Sequence, residues 1–164
     1  MAQKKSFITF LTSAFYNDYP LSKYPQIEQK IDRPYAQVIV TIRNLHFAIP
    51  LRSNITHPHA FWTDRKNRCG VDFSKAVVIL DETKYINDST KVFLRLHEYD
   101  KLRGKEFRIT QMMSDFIETY KSARLNPADE INQKICRFST LQYFEEYIYQ
   151  SGGLAIQETA TTTE

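Results

Sequence analysis

Residues 6–11, SFITFL, alternate apolar and polar positions and predict a strand. TSAFYNDYP then predicts a short capped helix or turn, stopped by Pro20. Residues 20–34 hold Pro20, Pro25, Pro34 and several charges, which predicts a loop with one helical turn around PQIEQKI. AQVIVTI (36–42) is rich in β-branched residues, and LHFAIPL (45–51) follows closely. The pair predicts a β-hairpin with Arg43-Asn44 at its turn, because Asn tolerates positive φ. Pro50 has no donor for a strand ladder, so it predicts a strand end, bulge or edge, with the chain leaving the sheet there. A polar loop follows. SKAVVILDETKYI (74–86) then begins as a buried strand, and KVFLRL (91–96) fits strand or helix equally.

From about residue 98 the period changes. Ile109, Met112, Met113, Phe116, Ile117 and Tyr120 recur as one face of an amphipathic helix, which should end near Leu125-Asn126, before Pro127. This stripe reads as core rather than as a partner surface. PADEINQKICRF predicts a second helix with Ile131, Ile135 and Phe138 on one side. A third, capped by Ser139 or Thr140, should turn Leu141, Phe144, Tyr147 and Ile148 inward and end at Gly152-Gly153. The expected architecture is α+β: a compact, strongly curved, mainly antiparallel sheet with helices packed alongside. One domain at 1–152 and a loose tail at 153–164 are expected.

Composition narrows the class. A chain of 164 residues with 42% hydrophobic content, ten Tyr and eleven Phe is too rich in core formers to be disordered. Cys69 and Cys136 are far apart and form no CxxC pair, so they are read as packing residues of a reduced, intracellular protein. No apolar run reaches the roughly 18 residues of a membrane span, and MAQKKSFITF lacks a secretory leader pattern. A soluble, cytoplasmic protein without membrane contact is expected.

Net charge is only +3, but its distribution is informative. Between the strands of FAIPLRSNITHPHAFWTDRKNRCGVDFSKAVVIL (47–80) lie Arg52, Ser53, Asn54, His57, His59, Arg65, Lys66, Arg68 and Lys75. Such a cationic segment is a candidate polyanion site. His57-Pro58-His59 is half of a zinc pattern, but no CxxC, HExxH or acidic cluster supplies further ligands, so no metal or cofactor is expected. With four glycines and neither GxGxxG nor GxxxxGK[ST], a nucleotide cradle fits worse, and GxSxG is absent.

RNA cleavage fits better. It needs a base for the ribose 2′-OH, a proton donor for the departing 5′-oxygen, and cations for the transition-state charge. His57 is the natural proton carrier, because imidazole titrates near neutrality. Arg52 and Lys75 suit the phosphate, and Ser53 and Asn54 its non-bridging oxygens. Arg33 and Tyr35 stand where they would flank the groove, and Phe61, Trp62 and Phe73 are available for base stacking. Plainer readings stay open: Ser53 capping a turn, His57 as a hydrogen-bonded structural residue, Lys75 as a strand-edge charge, and Phe61 and Trp62 as core.

The blocks RPYAQVIV, LHFAIPLRSNITH and GVDFSKAVVILDE are similar to the toxin component of type III toxin–antitoxin systems. The resemblance is to the TenpN/CptN branch, with ToxN more distant, and covers roughly residues 33–86. It implies a barrel-like MazF/Kid-type core and a metal-independent, sequence-selective endoribonuclease leaving a 2′,3′-cyclic phosphate. It also implies inhibition by a small repeat RNA antitoxin, folded as a pseudoknot, which the toxin cuts from a precursor and binds in a closed ring. The cellular effect would be growth arrest, as abortive defence against phage. The site motif falls on Arg52, Ser53, His57 and Lys75, with Tyr35 or Arg33 at the first strand. His59, Asn54, Arg65, Lys66 and Arg68 would join them in RNA binding. Distant members carry a lysine shortly after the serine, whereas this chain has Ile55 and Thr56 there, so proton transfer is assigned to His57. A non-catalytic RNA-binding module on the same loop is the alternative.

Overall fold

The computed structural model describes residues 7–30 and 33–150. Strand β1 (Ile8–Leu11) leads into α1 (Ser13–Asp18), whose first turn is capped by the Thr12 hydroxyl accepting from the Phe15 amide. β2 (Gln37–Ile42) and β3 (Leu45–Arg52) form the expected hairpin. Its turn residues, Arg43 and Asn44, have φ of 50° and 66°. Two left-handed residues match the right-handed twist of the strands, which selects this two-residue turn.

Pro50 does not end the strand. It pairs with Gln37, and β3 continues to Arg52. The residues expected as one long loop also form a second hairpin, β4 (Ala60–Asp64) and β5 (Cys69–Asp72). β6 (Val77–Ile79) and β7 (Ile86–Asn87) complete a seven-stranded antiparallel sheet. Its order is β4-β5-β3-β2-β1-β7, with β6 also paired to β3. Among the described residues the sheet is not closed into a barrel: β4 and β7 are its two ends.

β5 and β6 therefore run along β3 in succession, through Arg52↔Gly70 and Leu51↔Val71, then Ala48↔Val77 to His46↔Ile79. Between these pairings Ile49 and Pro50 stand against residues 72–76, so the longer chain must bulge out. The Leu51 amide donates to the Ala36 carbonyl on the β2 side. Amides alternate sides along a strand, so the nitrogen of Pro50 faces the other edge, at the bulge. The ring nitrogen with no proton sits where no ladder bond is required of it.

α2 (Glu82–Tyr85), α3 (Leu96–Leu102), α4 (Glu106–Leu125) and α5 (Glu130–Phe138) follow. KVFLRL is mostly neither strand nor helix; only Leu96 belongs to α3. The α4 stripe is core: Ile109, Met113, Phe116, Ile117 and Tyr120 are buried and Met112 packs against them. α5 buries no residue; Ile135 reaches the core, whereas Ile131 and Phe138 are exposed.

Ser139 accepts from the Leu141 amide and opens a 3₁₀ turn (Thr140–Tyr143), with residues 145–150 helical beyond it. Leu141, Phe144 and Ile148 are buried and Tyr147 partly so. Thr140, fully buried, donates its hydroxyl to the carbonyls of Ala76 and of Ser74 (3.2 Å) and locks this turn onto the bulge. Gly152-Gly153 and the expected tail lie outside the described residues. No helix among the described residues is long and apolar enough to cross a membrane.

Candidate active site

The bulge between β5 and β6 makes the site. Asp72 ends β5 and caps a 3₁₀ turn (Phe73–Lys75), its Oδ1 accepting from the Ser74 amide at 3.0 Å. Asx caps of this kind satisfy amides that a broken ladder leaves bare. Phe73 enters the core, while Ser74 Oγ turns to Asp72 and Lys75 Nζ reaches Gln26.

The Asp72 side chain has no exposure. A buried carboxylate must be compensated by partners, and this one has three. Oδ2 accepts from Arg52 Nη1 at 2.5 Å. Oδ1 accepts from Ser74 Oγ at 2.6 Å and lies 3.1 Å from His57 Nε2. Burial alone would raise the Asp72 pKa. Hydrogen bonds from His57 and Ser74, with the nearby positive charge, outweigh it and hold the carboxyl below its ordinary value.

His57 is oriented at both nitrogens. Its Nδ1 accepts from the His59 backbone amide at 3.0 Å, so in this geometry the proton sits on Nε2. Nε2 points at Asp72 and at Ser74 Oγ, 3.0 Å away. A carboxylate at Nε2 and an amide donor at Nδ1 together fix the Nε2–H tautomer and the ring orientation. His59 stacks on His57, with centroids 5.5 Å apart, and leans on Phe116 from α4. Burial lowers the His59 pKa and the adjacent His57 adds to this, against Asp72.

Arg52 and Lys75 line one cleft, about 310 Å³ including the space open to solvent, with Glu28, Tyr35, Tyr16 and Gln37. Arg52 Nη2 lies 2.7 Å from both carboxylate oxygens of Glu28. Burial acts against the Arg52 charge, but Asp72 and Glu28 more than restore it, raising its pKa. Tyr35 donates its hydroxyl to Glu28 Oε2 at 3.2 Å, and burial followed by the Glu28 charge raises its pKa. Lys75 Nζ donates to Gln26 Oε1 (2.9 Å) and to the Phe138 carbonyl (2.8 Å). Its pKa is lowered, chiefly by burial.

Arg52 and His57 thus meet on Asp72, and Arg52 shares its cleft with Lys75 and Tyr35, a cleft that His57 does not line. Ser53 directly follows Arg52 and is exposed; its hydroxyl makes no hydrogen bond to a described residue. Asn54 is exposed at φ 57°, where the chain turns back. Arg33 is exposed and does not line the cleft.

Arg65, Lys66 and Arg68 lie elsewhere, at the exposed tip of the β4–β5 hairpin. Asp72 is at the opposite end of β5, roughly 10 Å along the strand from Cys69. Arg65 packs on Trp62 there, while Phe73 is core rather than a stacking surface. Residues that form one run of cations in the sequence are separated by a strand. Among the described residues no three His, Cys, Asp or Glu side chains gather as metal ligands.

Three site residues escaped the sequence reading: Asp72, Ser74 and Glu28. The Asp-Phe-Ser spacing signals an Asx-capped turn and marks the first two. Glu28 carries no local signal, because it meets Arg52 from 24 residues away. Set against protein-family models, curated proteins and solved structures, the chain matches none.

Proposed function

We propose that this chain is a metal-independent endoribonuclease toxin of the type III toxin–antitoxin kind. The carrying observation is the His57–Asp72 pair bonded to Arg52, which lines a cleft together with Lys75. In this reading the ribose 2′-oxygen attacks phosphorus, the bond to the 5′-oxygen breaks, and a 2′,3′-cyclic phosphate results. One proton leaves the 2′-hydroxyl and one reaches the departing oxygen. His57 exchanges a proton through Nδ1, released from the His59 amide, while Asp72 holds Nε2. Arg52 and Lys75 face the added charge on the phosphorane, and Ser53 and Asn54 serve its non-bridging oxygens. The same reading takes the sheet as a curved, MazF/Kid-like core. Its inhibitor is a repeat RNA antitoxin bound in a ring assembly in the cytoplasm, and its effect is growth arrest in phage defence.

The second reading is a non-catalytic RNA-binding module. It is favoured by one observation: both His57 nitrogens have partners within the protein. Incubating the purified chain with total RNA in EDTA separates the two. Selective fragments with cyclic phosphate ends, lost in both His57→Ala and Ser53→Ala, are the result expected of the enzyme. RNA that is shifted but intact supports the module. Cleavage that vanishes in EDTA and returns with zinc would instead place a metal at His57 and His59.

A further inference from the structure

Glu28 stands where a ligand is expected. Its carboxylate meets Arg52 Nη2 with both oxygens at 2.7 Å and accepts from the Tyr35 hydroxyl, in the cleft that Lys75 also lines. An anion held by a guanidinium and a phenol, near an ammonium, is bound as a phosphate oxygen would be. We infer that the Glu28 carboxylate occupies the seat of a ligand phosphate in the free protein, and that phosphate binding displaces it.

Two features make Glu28 replaceable. Arg52 is already neutralised from its buried side by Asp72 at 2.5 Å, so it does not need Glu28 as its counter-charge. Glu28 lies on the solvent side, with its side chain 39% exposed against 16% for Arg52. Arg52 Nε, buried and without a hydrogen-bond partner among the described residues, is a donor that Glu28 leaves unused.

The motion required is small. Ile27 is buried, the Gln26 amide donates to the Tyr143 hydroxyl at 3.1 Å, and Gln29 Nε2 donates to the Tyr19 carbonyl at 3.2 Å. The backbone around Glu28 is therefore pinned, and a rotation of its side chain is enough to clear the seat. Identifying the phosphate as one of RNA rests on the ribonuclease reading; the seat itself does not.

Calorimetry with inorganic phosphate, and fluorescence anisotropy with a fully 2′-O-methylated RNA oligonucleotide that has no nucleophile, test this on wild type and Glu28→Gln. Removing the competing charge should tighten both roughly tenfold or more. Unchanged or weaker binding of both probes by a folded Glu28→Gln, or no binding of either probe by any variant, overturns the inference. Should that variant not fold, Glu28→Asp keeps the charge on a shorter arm. It should bind both probes several-fold more tightly than wild type, and wild-type affinities would overturn the inference. Tighter phosphate binding without cleavage of any RNA keeps the seat and defeats the ribonuclease reading. RNA cleavage by wild type with no effect of Glu28→Gln does the reverse.

Discussion

His57 Nε2 lies 3.1 Å from Oδ1 of Asp72, a carboxylate whose side chain is wholly buried. Asp72 thus links the imidazole, the Ser74 hydroxyl and the Arg52 guanidinium across three segments of chain. The bulge exists as a polar site because this one buried charge is shared among them.

Asp72→Asn should lower stability by about 3 kcal/mol, since it leaves Arg52 and Ser74 with a neutral partner in a buried place. Urea denaturation at pH 7 measures this. A loss under about 0.5 kcal/mol would mean that the network adds nothing net.

The same pair of proteins reports a pH dependence. The folded Asp72 carboxyl titrates below its ordinary value of 3.8. Its contribution is therefore complete above that pH and is lost as pH falls through the folded value. Wild-type and Asp72→Asn stabilities should converge in acid. A gap that stays constant down to the folded pKa would contradict the assignment.

His59 should titrate below its ordinary 6.5, because half-burial against Phe116 and His57 disfavours its charged form. Below pH 6.5 the unfolded chain takes up a proton that folded His59 refuses, so this residue costs stability as pH drops toward its folded value. NMR titration of the imidazole gives the midpoint directly, and a midpoint at or above 6.5 refutes the prediction. His59→Phe should flatten that part of the stability profile.

Gly70 sits where β5 passes the irregular pairing between Trp62 and Asp64. A Cβ there would lie 2.3 Å from the Phe61 carbonyl oxygen. Backbone cannot yield as a flexible side chain does, so Gly70→Ala should destabilise by about 1–3 kcal/mol. A melting temperature equal to wild type would show that β4 can shift freely.

Thr140→Val keeps the volume and removes the hydroxyl that meets the Ser74 and Ala76 carbonyls. Two buried acceptors lose their donor, at about 1–3 kcal/mol. Amide exchange should rise at the 3₁₀ turn of Phe73–Lys75 and at Thr140–Tyr143 together; a rise at only one would mean that they are not coupled.

Much of the fold was legible because its causes are local. Arg43-Asn44 sets the first hairpin through backbone conformation, and the Ile109–Tyr120 stripe follows from helical period alone. The second hairpin was hidden, since AFWTD and CGVD are short and flank a charged turn that reads as loop. Pro50 marks a gap in the donor ladder that the sequence alone shows, but its consequence depends on which edge its nitrogen faces.

By itself the sequence determined the α+β class, the hairpin, the long core helix and a set of side chains whose chemistry suits a phosphate. Only the tertiary structure decided which of them meet. Arg52, His57 and Lys75 gather at the bulge, while Arg65, Lys66 and Arg68 go to a hairpin tip, and Glu28 arrives from a distant loop. The reason is physical: helix and turn preferences act over a few residues, whereas a buried carboxylate recruits partners through space, from wherever the sheet register places them.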